Sequence, residues 1–272
     1  MTQSLAAQML VKPGSSVDID ALDAEATYGV KRKAAEIALA ENQDRIKSLQ
    51  YRLFAERSRS LLVILQARDA AGKDGAIRHV FSGVNPQGVQ VTGFASPSTR
   101  ERSHDYLWRA HKRCPEHGII GVFNRSYYED VLIVRVNELV SKSTWRKRYD
   151  HIRNFERMMT DEGTVIIKIC LNVSKEQQHR RLLRRIHDPD RNWKFSEEDF
   201  IKRRLWDKYS EAYNDAIEET AADHAPWYIV PADHKWFRNH VIASIVADRL
   251  EKMDPKPPRL KLSEEEMARL AV

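Results

Sequence analysis

The apolar positions of the chain follow two periods. Across residues 30–57 they recur three and four apart, the spacing of one helix face. Beyond that, five nearly continuous apolar runs stand out, at 60–66, 89–95, 119–124, 164–173 and 227–231. Each leads into a helix-like segment. β-Branched and aliphatic residues dominate several of these runs, as they do in strands buried on both faces. Strands alternating with helices predict an α/β fold, a five-stranded parallel sheet wrapped by helices with right-handed crossovers. The alternation stops between Val173 and Trp227, where two helical patterns are joined by residues 187–195. There Ser196 followed by Asp199 resembles a helix capping box. Residues 1–30, with Pro13, Gly14 and two serines, lack periodicity and read as an N-terminal arm. Residues 31–255 read as one domain with a helical insertion at 174–204. Residues 256–272 read as a tail that ends in a short acidic helix.

The first strand runs directly into Ala67-Arg68-Asp69-Ala70-Ala71-Gly72-Lys73-Asp74-Gly75. A buried strand, a Gly-Lys turn and a helix make the outline of a phosphate-binding loop. Backbone N–H groups around Ala71, Gly72, Lys73, Asp74 and Gly75 would face a phosphate, aided by the helix dipole. Lys73 would set a point charge on the phosphoryl oxygens. Two positions depart from the general pattern: Ala67 stands where Gly is usual, and Asp74 where Ser or Thr reaches a metal. Asp69 inside the loop is then either a turn-forming aspartate or a group that holds Mg²⁺ or orients the accepting phosphate.

Two further constellations fit a phosphate site. The third strand ends in Asn124-Arg125-Ser126-Tyr127-Tyr128-Glu129-Asp130, at the carboxyl edge where open α/β sheets bind ligands. Arg125 suits neutralisation of a transferring phosphoryl group. Asn124 is either a ligand-side acceptor or a helix N-cap. Glu129 or Asp130 can supply the carboxylate that Asn124 lacks. In the insertion, Arg181 and Arg185 share a helix face at i and i+4, followed by Arg191 and Lys194. Arginine gives planar, bidentate phosphate contacts. A basic helical insertion beyond the fourth strand suits a lid that closes over phosphates, although a solvated surface face would look the same. Arg135 lies ten residues past Arg125, and a salt bridge is its plainer explanation.

Composition adds limits. The net charge is +6, and residues 174–204 carry ten basic and six acidic side chains, so much of the excess sits in the insertion. That balance suits a polyanionic ligand. Cys114 and Cys170 form no C-x-x-C and no metal spacing, which points to a reduced, cytoplasmic setting. No stretch has the length of a membrane span, and no signal-peptide pattern opens the chain. No His spacing suits zinc, and no G-x-S-x-G occurs.

With these residues in view, the chain resembles a polyphosphate kinase of the second family across roughly residues 30 to 255. The likeness rests on the loop 69–75, Val84-Asn85-Pro86, His104-Asp105-Tyr106-Leu107-Trp108-Arg109, Phe123-Asn124-Arg125-Ser126, Tyr128-Glu129-Asp130-Val131, Asn192-Trp193-Lys194-Phe195 and Ala225-Pro226-Trp227-Tyr228. It implies a three-layer α/β/α P-loop kinase core with a helical lid. It also implies reversible phosphoryl transfer between inorganic polyphosphate and a nucleotide, with Mg²⁺ (Mn²⁺ as alternative). By that likeness Asp69, Lys73, Arg125 and Arg185 match active-site positions, and Arg135, Arg181 and Lys194 are weaker matches. Asn124 with Glu129 resembles class III, the subgroup similar to enzymes that phosphorylate AMP and ADP. The expected partners are polyphosphate and adenine nucleotides, with guanine as an alternative base, and neither nucleic acid nor membrane. A homo-oligomer is the expected assembly, although no residue pattern fixes its size. Two other readings suit parts of the pattern: an ATP-dependent nucleotide kinase on the same core, and a non-catalytic polyanion-binding protein.

Overall fold

The computed structural model describes residues 5–259 and 262–270. Its centre is a five-stranded, all-parallel sheet of β1 (Ser60–Ala67), β2 (Val89–Gly93), β3 (Ile120–Asn124), β4 (Thr164–Asn172) and β5 (Trp227–Pro231), in the order β2-β3-β1-β4-β5. The five apolar runs become these five strands. β1 is central and wholly buried, so both faces of its apolar run are used. Leu61, Val63 and Leu65 face one core and Leu62 and Ile64 the other, because successive side chains alternate across a sheet.

The core under Leu61, Val63 and Leu65 is closed by α1 (Arg32–Glu56), α2 (Lys73–Val80) and a C-terminal helix at Lys235–Met253, with Ile46, Leu53, Ala76, Val241 and Val246 among the contacts. On the other face stand α3 (Lys142–Asp161) and a helix at Trp206–Thr220, supplying Tyr149, Ile152, Phe155, Tyr213 and Ile217. The helices α4 (Lys175–His187), α5 (Glu197–Arg204), α6 (Trp206–Thr220) and α7 (Lys235–Met253) complete the set used below.

The insertion is packed differently from the core. In α4 only Gln178 and Leu182 are buried, and in α5 only Asp199. Trp193, between them, is 77% exposed. So little buried apolar surface marks an element that opens at low free energy. Helix α4 starts where Ser174 Oγ accepts from the Gln177 N–H at 3.1 Å. The capping box expected at Ser196 and Asp199 does not form. Ser196 makes no side-chain cap bond, since the Asp199 N–H donates to the Ser196 carbonyl at 3.2 Å, and the Asp199 carboxylate that would accept from the Ser196 N–H is drawn to Arg185 at 2.5 Å. A capping box is found instead at Ser98 and Glu101.

The N-terminal arm, which the sequence left between an assembly element and a disordered one, lies on its own core. Leu10 bridges Tyr228 in antiparallel sense, and Val11 N–H donates to the Trp227 carbonyl at 2.9 Å. This covers the open edge of β5, which would otherwise offer unpaired backbone groups. Ile19 is 2% exposed, and the Asn172 side-chain amide donates to the Ile19 and Leu22 carbonyls at 3.1 and 3.0 Å.

Candidate active site

At the carboxyl end of β1 the chain must turn sharply to enter α2. Ala70 and Gly72 both take left-handed backbone angles, φ 61° and 103°. For a residue with a Cβ, as at Ala70, that conformation is strained. Gly72 is required twice over, because a Cβ there would also lie 2.2 Å from Nη1 of Arg238. Helix α2 opens at Lys73, and its first intrahelical bond runs from Ala76 N–H to the Gly72 carbonyl at 3.0 Å. The N–H groups of Lys73, Asp74 and Gly75 precede that bond, at the positive end of the helix. Lys73 Nζ donates to the Ala67 carbonyl at 2.8 Å. Burial, then the charge of Arg125, holds the Lys73 ammonium below its ordinary pKa, and the acids around it only partly compensate.

β3 supplies the neighbouring groups. Arg125 also has a left-handed φ, 61°, and its N–H donates to the Leu65 carbonyl of β1 at 3.0 Å. Its guanidinium meets Asp69 at 2.6 Å. Burial opposes ionisation of Asp69, but Lys73, Arg125, Lys202 and Arg185 outweigh it and hold the carboxyl below its usual range. Asn124 is not a helix cap: its amide donates to Asp74 at 2.7 Å, tying β3 to the loop. Of the adjacent acids, Glu129 accepts from the buried Gln66 at 3.0 Å and lines the cleft with Asp69 and Arg125. Asp130 turns away to Arg148, at 3.3 Å.

The lid closes the other side. Lys194 reaches Asp74 at 3.2 Å, and Lys202 lies 3.8 Å from Asp69. Arg185 pairs with Asp199 and donates to the Lys194 carbonyl at 3.2 Å. The Asp199 carboxyl is raised, by burial and by the nearby charge of Asp69. Gln178 donates to the Asp69 carbonyl at 3.0 Å. Trp206, Tyr209 and Tyr213 of α6 complete the cleft wall. The loop and lid cations Lys73, Arg125, Arg185, Lys194, Lys202 and Arg203 outnumber the acids Asp69, Asp74, Glu129, Glu198 and Asp199. A wider hollow of about 770 Å³ lies at the opposite, amino edge of the sheet, beside Ile119 and Thr164, and contains none of these groups.

Two expected ligand contacts are placed elsewhere. Arg181 spends both terminal nitrogens on main-chain carbonyls: Ala70 and Ala71 at 3.2 and 2.8 Å, Ala232 and Asp233 at 2.7 and 2.9 Å. Its remaining Nε is buried. It therefore braces the back of the loop, and its one unpaired donor, the Nε–H, is enclosed away from any phosphate in this arrangement. Arg135 is held by Asp215 at 2.6 Å and lies 4.4 Å over the Trp145 ring, and among the described residues no hydrogen bond or ion pair joins it to the loop. Its plainer explanation, a salt bridge, is what the structure contains. Arg185 and Lys194, by contrast, face the loop side.

Several groups around the site carry no local sequence signal. Arg238 of α7 donates to the Ala71 carbonyl at 3.2 Å. Burial and the charge of Arg181 push its guanidinium down to about 10. Lys202, Gln178 and Tyr209 come from helices far along the chain. Helical spacing could have placed Lys202 on the lid, but not opposite Asp69.

A phosphate loop on the central strand of a parallel sheet, faced by a cationic helical lid, defines a protein built to hold and transfer phosphoryl groups. The sequence profile of polyphosphate kinase 2 matches residues 29–258. The chain belongs to the polyphosphate kinase 2 family. It is 48% identical over 245 residues to the AMP/ADP-polyphosphate phosphotransferase of Meiothermus ruber, covering 90% of this chain and 91% of that one. It is 46% identical over 227 residues to the ADP-polyphosphate phosphotransferase of Rhodopseudomonas palustris, covering 79% and 78%. The crystal structure of polyphosphate kinase 2 from Arthrobacter aurescens superposes with a TM-score of 0.93 at 39% identity, over 99% of this chain and 96% of that one. The five-stranded parallel α/β fold expected from the sequence agrees with that neighbour. No helix among the described residues is long and apolar enough to cross a membrane.

Proposed function

We propose that this chain reversibly transfers the terminal phosphoryl group of inorganic polyphosphate to AMP and ADP. The observation that carries the reading is the cleft itself, where the phosphate loop and a cationic lid meet with more cations than acids. The names of relatives 46% and 48% identical support the same substrates. A long polyanion needs a positive track, and its binding is salt-dependent through counterion release.

The reaction needs no protein nucleophile. An oxygen of the nucleotide's terminal phosphate attacks the terminal phosphorus of polyphosphate in line, and the shortened chain leaves. The α2 amides and Lys73 hold phosphates at the transfer point. Arg125 and Arg185 neutralise the transferring group once their present acids, Asp69 and Asp199, are exchanged for phosphate oxygens. Closure of the lid excludes water, which would otherwise accept the phosphoryl group.

Asp69 and Glu129 are the groups that can hold a divalent cation. Among the described residues no cluster of three or more His, Cys, Asp or Glu is disposed to bind a metal alone. Two carboxylates, completed by substrate oxygens and water, suit Mg²⁺, with Mn²⁺ as the alternative, and do not suit zinc. When bound, such an ion would supply positive charge to offset that of the phosphate groups.

One assay tests the reading. AMP or ADP is incubated with Mg²⁺ and long-chain polyphosphate, without ATP, and ADP and ATP are expected. Turnover only with ATP as donor would identify an ATP-dependent nucleotide kinase. Binding without turnover from either donor would identify a non-catalytic polyanion binder. Chelation of divalent ions is expected to stop the reaction, and GDP in place of ADP measures base preference.

A further inference from the structure

The N-terminal arm does more than cover a strand edge. Between residues 17 and 24 it is pinned at several points. Val17 N–H donates to Glu218 at 2.5 Å, Ile19 N–H to Asn214 at 2.9 Å, and Asp233 N–H to the Ala24 carbonyl at 3.1 Å. In the middle of this strap the Asp20 carboxylate accepts from Arg68 Nη2 and from Trp206 Nε1, both at 3.2 Å, and from Ser210 Oγ. Arg68 is the loop residue directly before Asp69. It is 7% exposed, and its guanidinium lies 3.9 Å over the Trp206 ring. It also donates to Ser210 at 2.5 Å. Trp206 opens α6, immediately after the lid helix α5. One carboxylate therefore touches the phosphate loop and the base of the lid together, and Asp20 precedes the segment, 29–258, that the family profile matches.

We propose that Asp20 is a positioning residue, which fixes the phosphate loop against the lid hinge by neutralising Arg68 while bonding Trp206. A buried guanidinium that loses its acid is driven toward water. A backbone shift at Arg68 is passed to its covalent neighbour Asp69, whose carboxylate meets Arg125 and whose carbonyl accepts from Gln178. The effect of Asp20 thus reaches the transfer point without contact with substrate. Its kinetic consequence rests on the function proposed above, and its structural consequence does not.

The test uses the full chain with Asp20→Ala, Asp20→Asn, Arg68→Met and the double variant Asp20→Ala/Arg68→Met. Glu218→Gln serves as control, because it removes the charge from the carboxylate that accepts from the Val17 N–H, and so weakens the strap without touching the loop. Asp20→Ala is expected to lower kcat about 10- to 100-fold, the effect of a misplaced reacting group, with nucleotide KM changed far less. The double variant is expected to be no slower than Arg68→Met alone. Amide hydrogen exchange across residues 67–75 is expected to quicken in Asp20→Ala and to stay at the wild-type rate in Glu218→Gln. A wild-type kcat in Asp20→Ala, losses that multiply in the double variant, or equal loop exchange in Asp20→Ala and Glu218→Gln would each overturn the proposal. If Asp20→Ala does not fold, Asp20→Asn is read by the same criteria. If the wild-type chain shows no turnover, the proposed function fails, and loop exchange alone decides the role of Asp20.

Discussion

Two acid–base pairs sit at the same sheet and do opposite work. Glu156 and Lys168 lie at 2.7 Å with side-chain exposures of 1% and 0%. Every Lys168 donor is used, on Glu156, on Tyr128 Oη at 3.0 Å and on the Thr220 carbonyl at 2.8 Å. Glu156 also accepts from Tyr127 and Tyr128 at 2.9 and 2.8 Å. This pair is saturated and closed to any ligand. Asp69 and Arg125 lie at 2.6 Å with exposures of 17% and 32%, and Arg125 gives Asp69 one nitrogen. That pair has capacity to spare and opens on a cleft. Saturation separates an ion pair closed inside the fold from one that faces the cleft with hydrogen-bonding capacity unused. The saturated pair also anchors the tyrosines directly before Glu129, so the structural pair helps aim the functional turn.

The strongest way to break the comparison is at the loop. Lys73→Ala is expected to lower the transfer rate about 10³-fold, as loss of one preorganised transition-state contact does, with urea unfolding close to wild type. A near-normal rate would remove Lys73 from the chemistry. Next, Lys168→Met should leave Glu156 buried without its cation and cost about 3 kcal/mol of stability. Chemical denaturation checks this, and activity per folded molecule should fall much less than in Lys73→Ala. Loss of activity at unchanged stability would mean that the two pairs are not separable in this way.

The adjacent acids give a finer test. Burial raises the Asp130 carboxyl from its usual 3.8 to about 6, against the opposing charge of Arg148. Between these values the folded protein holds a proton that the unfolded chain has released. The stability contribution of this group therefore grows as pH falls through 6, and at neutral pH its charge counts against the fold. Asp130→Asn should remove that dependence. Relative to wild type it should gain on the order of 3 kcal/mol at pH 7.5, and most of the gain should be gone by pH 4. Unfolding curves at both pH values measure it. The smallest effect is expected from Lys194→Ala, which cuts an exposed lid–loop pair. Stability should change by less than about 1 kcal/mol. The KM for polyphosphate should rise a few-fold and its salt dependence should weaken. An unchanged KM would place the polyphosphate track away from Lys194.

The strands, the loop and the lid helices were legible because each is written in local order. Periodicity reports burial within a segment, and the Gly-Lys turn reports its own backbone. Side-chain direction across long separations was not legible. Arg181 and Arg185 share a helix face in the sequence, yet one is taken by four carbonyls at the back of the loop and the other pairs with Asp199. Glu129 and Asp130 are neighbours, and only the turn at Tyr127–Asp130 decides that one faces the cleft and the other Arg148. Ser196 and Asp199 had the spacing of a cap, but an arginine eleven residues before Ser196 outbid the backbone for the carboxylate.

The sequence by itself determined the parallel α/β sheet, the phosphate loop on its first strand, the basic insertion and the family likeness. These follow from the period of apolar residues and from short motifs whose geometry is internal. Only the tertiary structure decided which cations face the loop, which brace it from behind, and that the N-terminal arm meets Arg68 of the loop through Asp20. Those outcomes depend on contacts between segments far apart in the chain. There a buried charge takes whichever partner the packed core brings within hydrogen-bond reach.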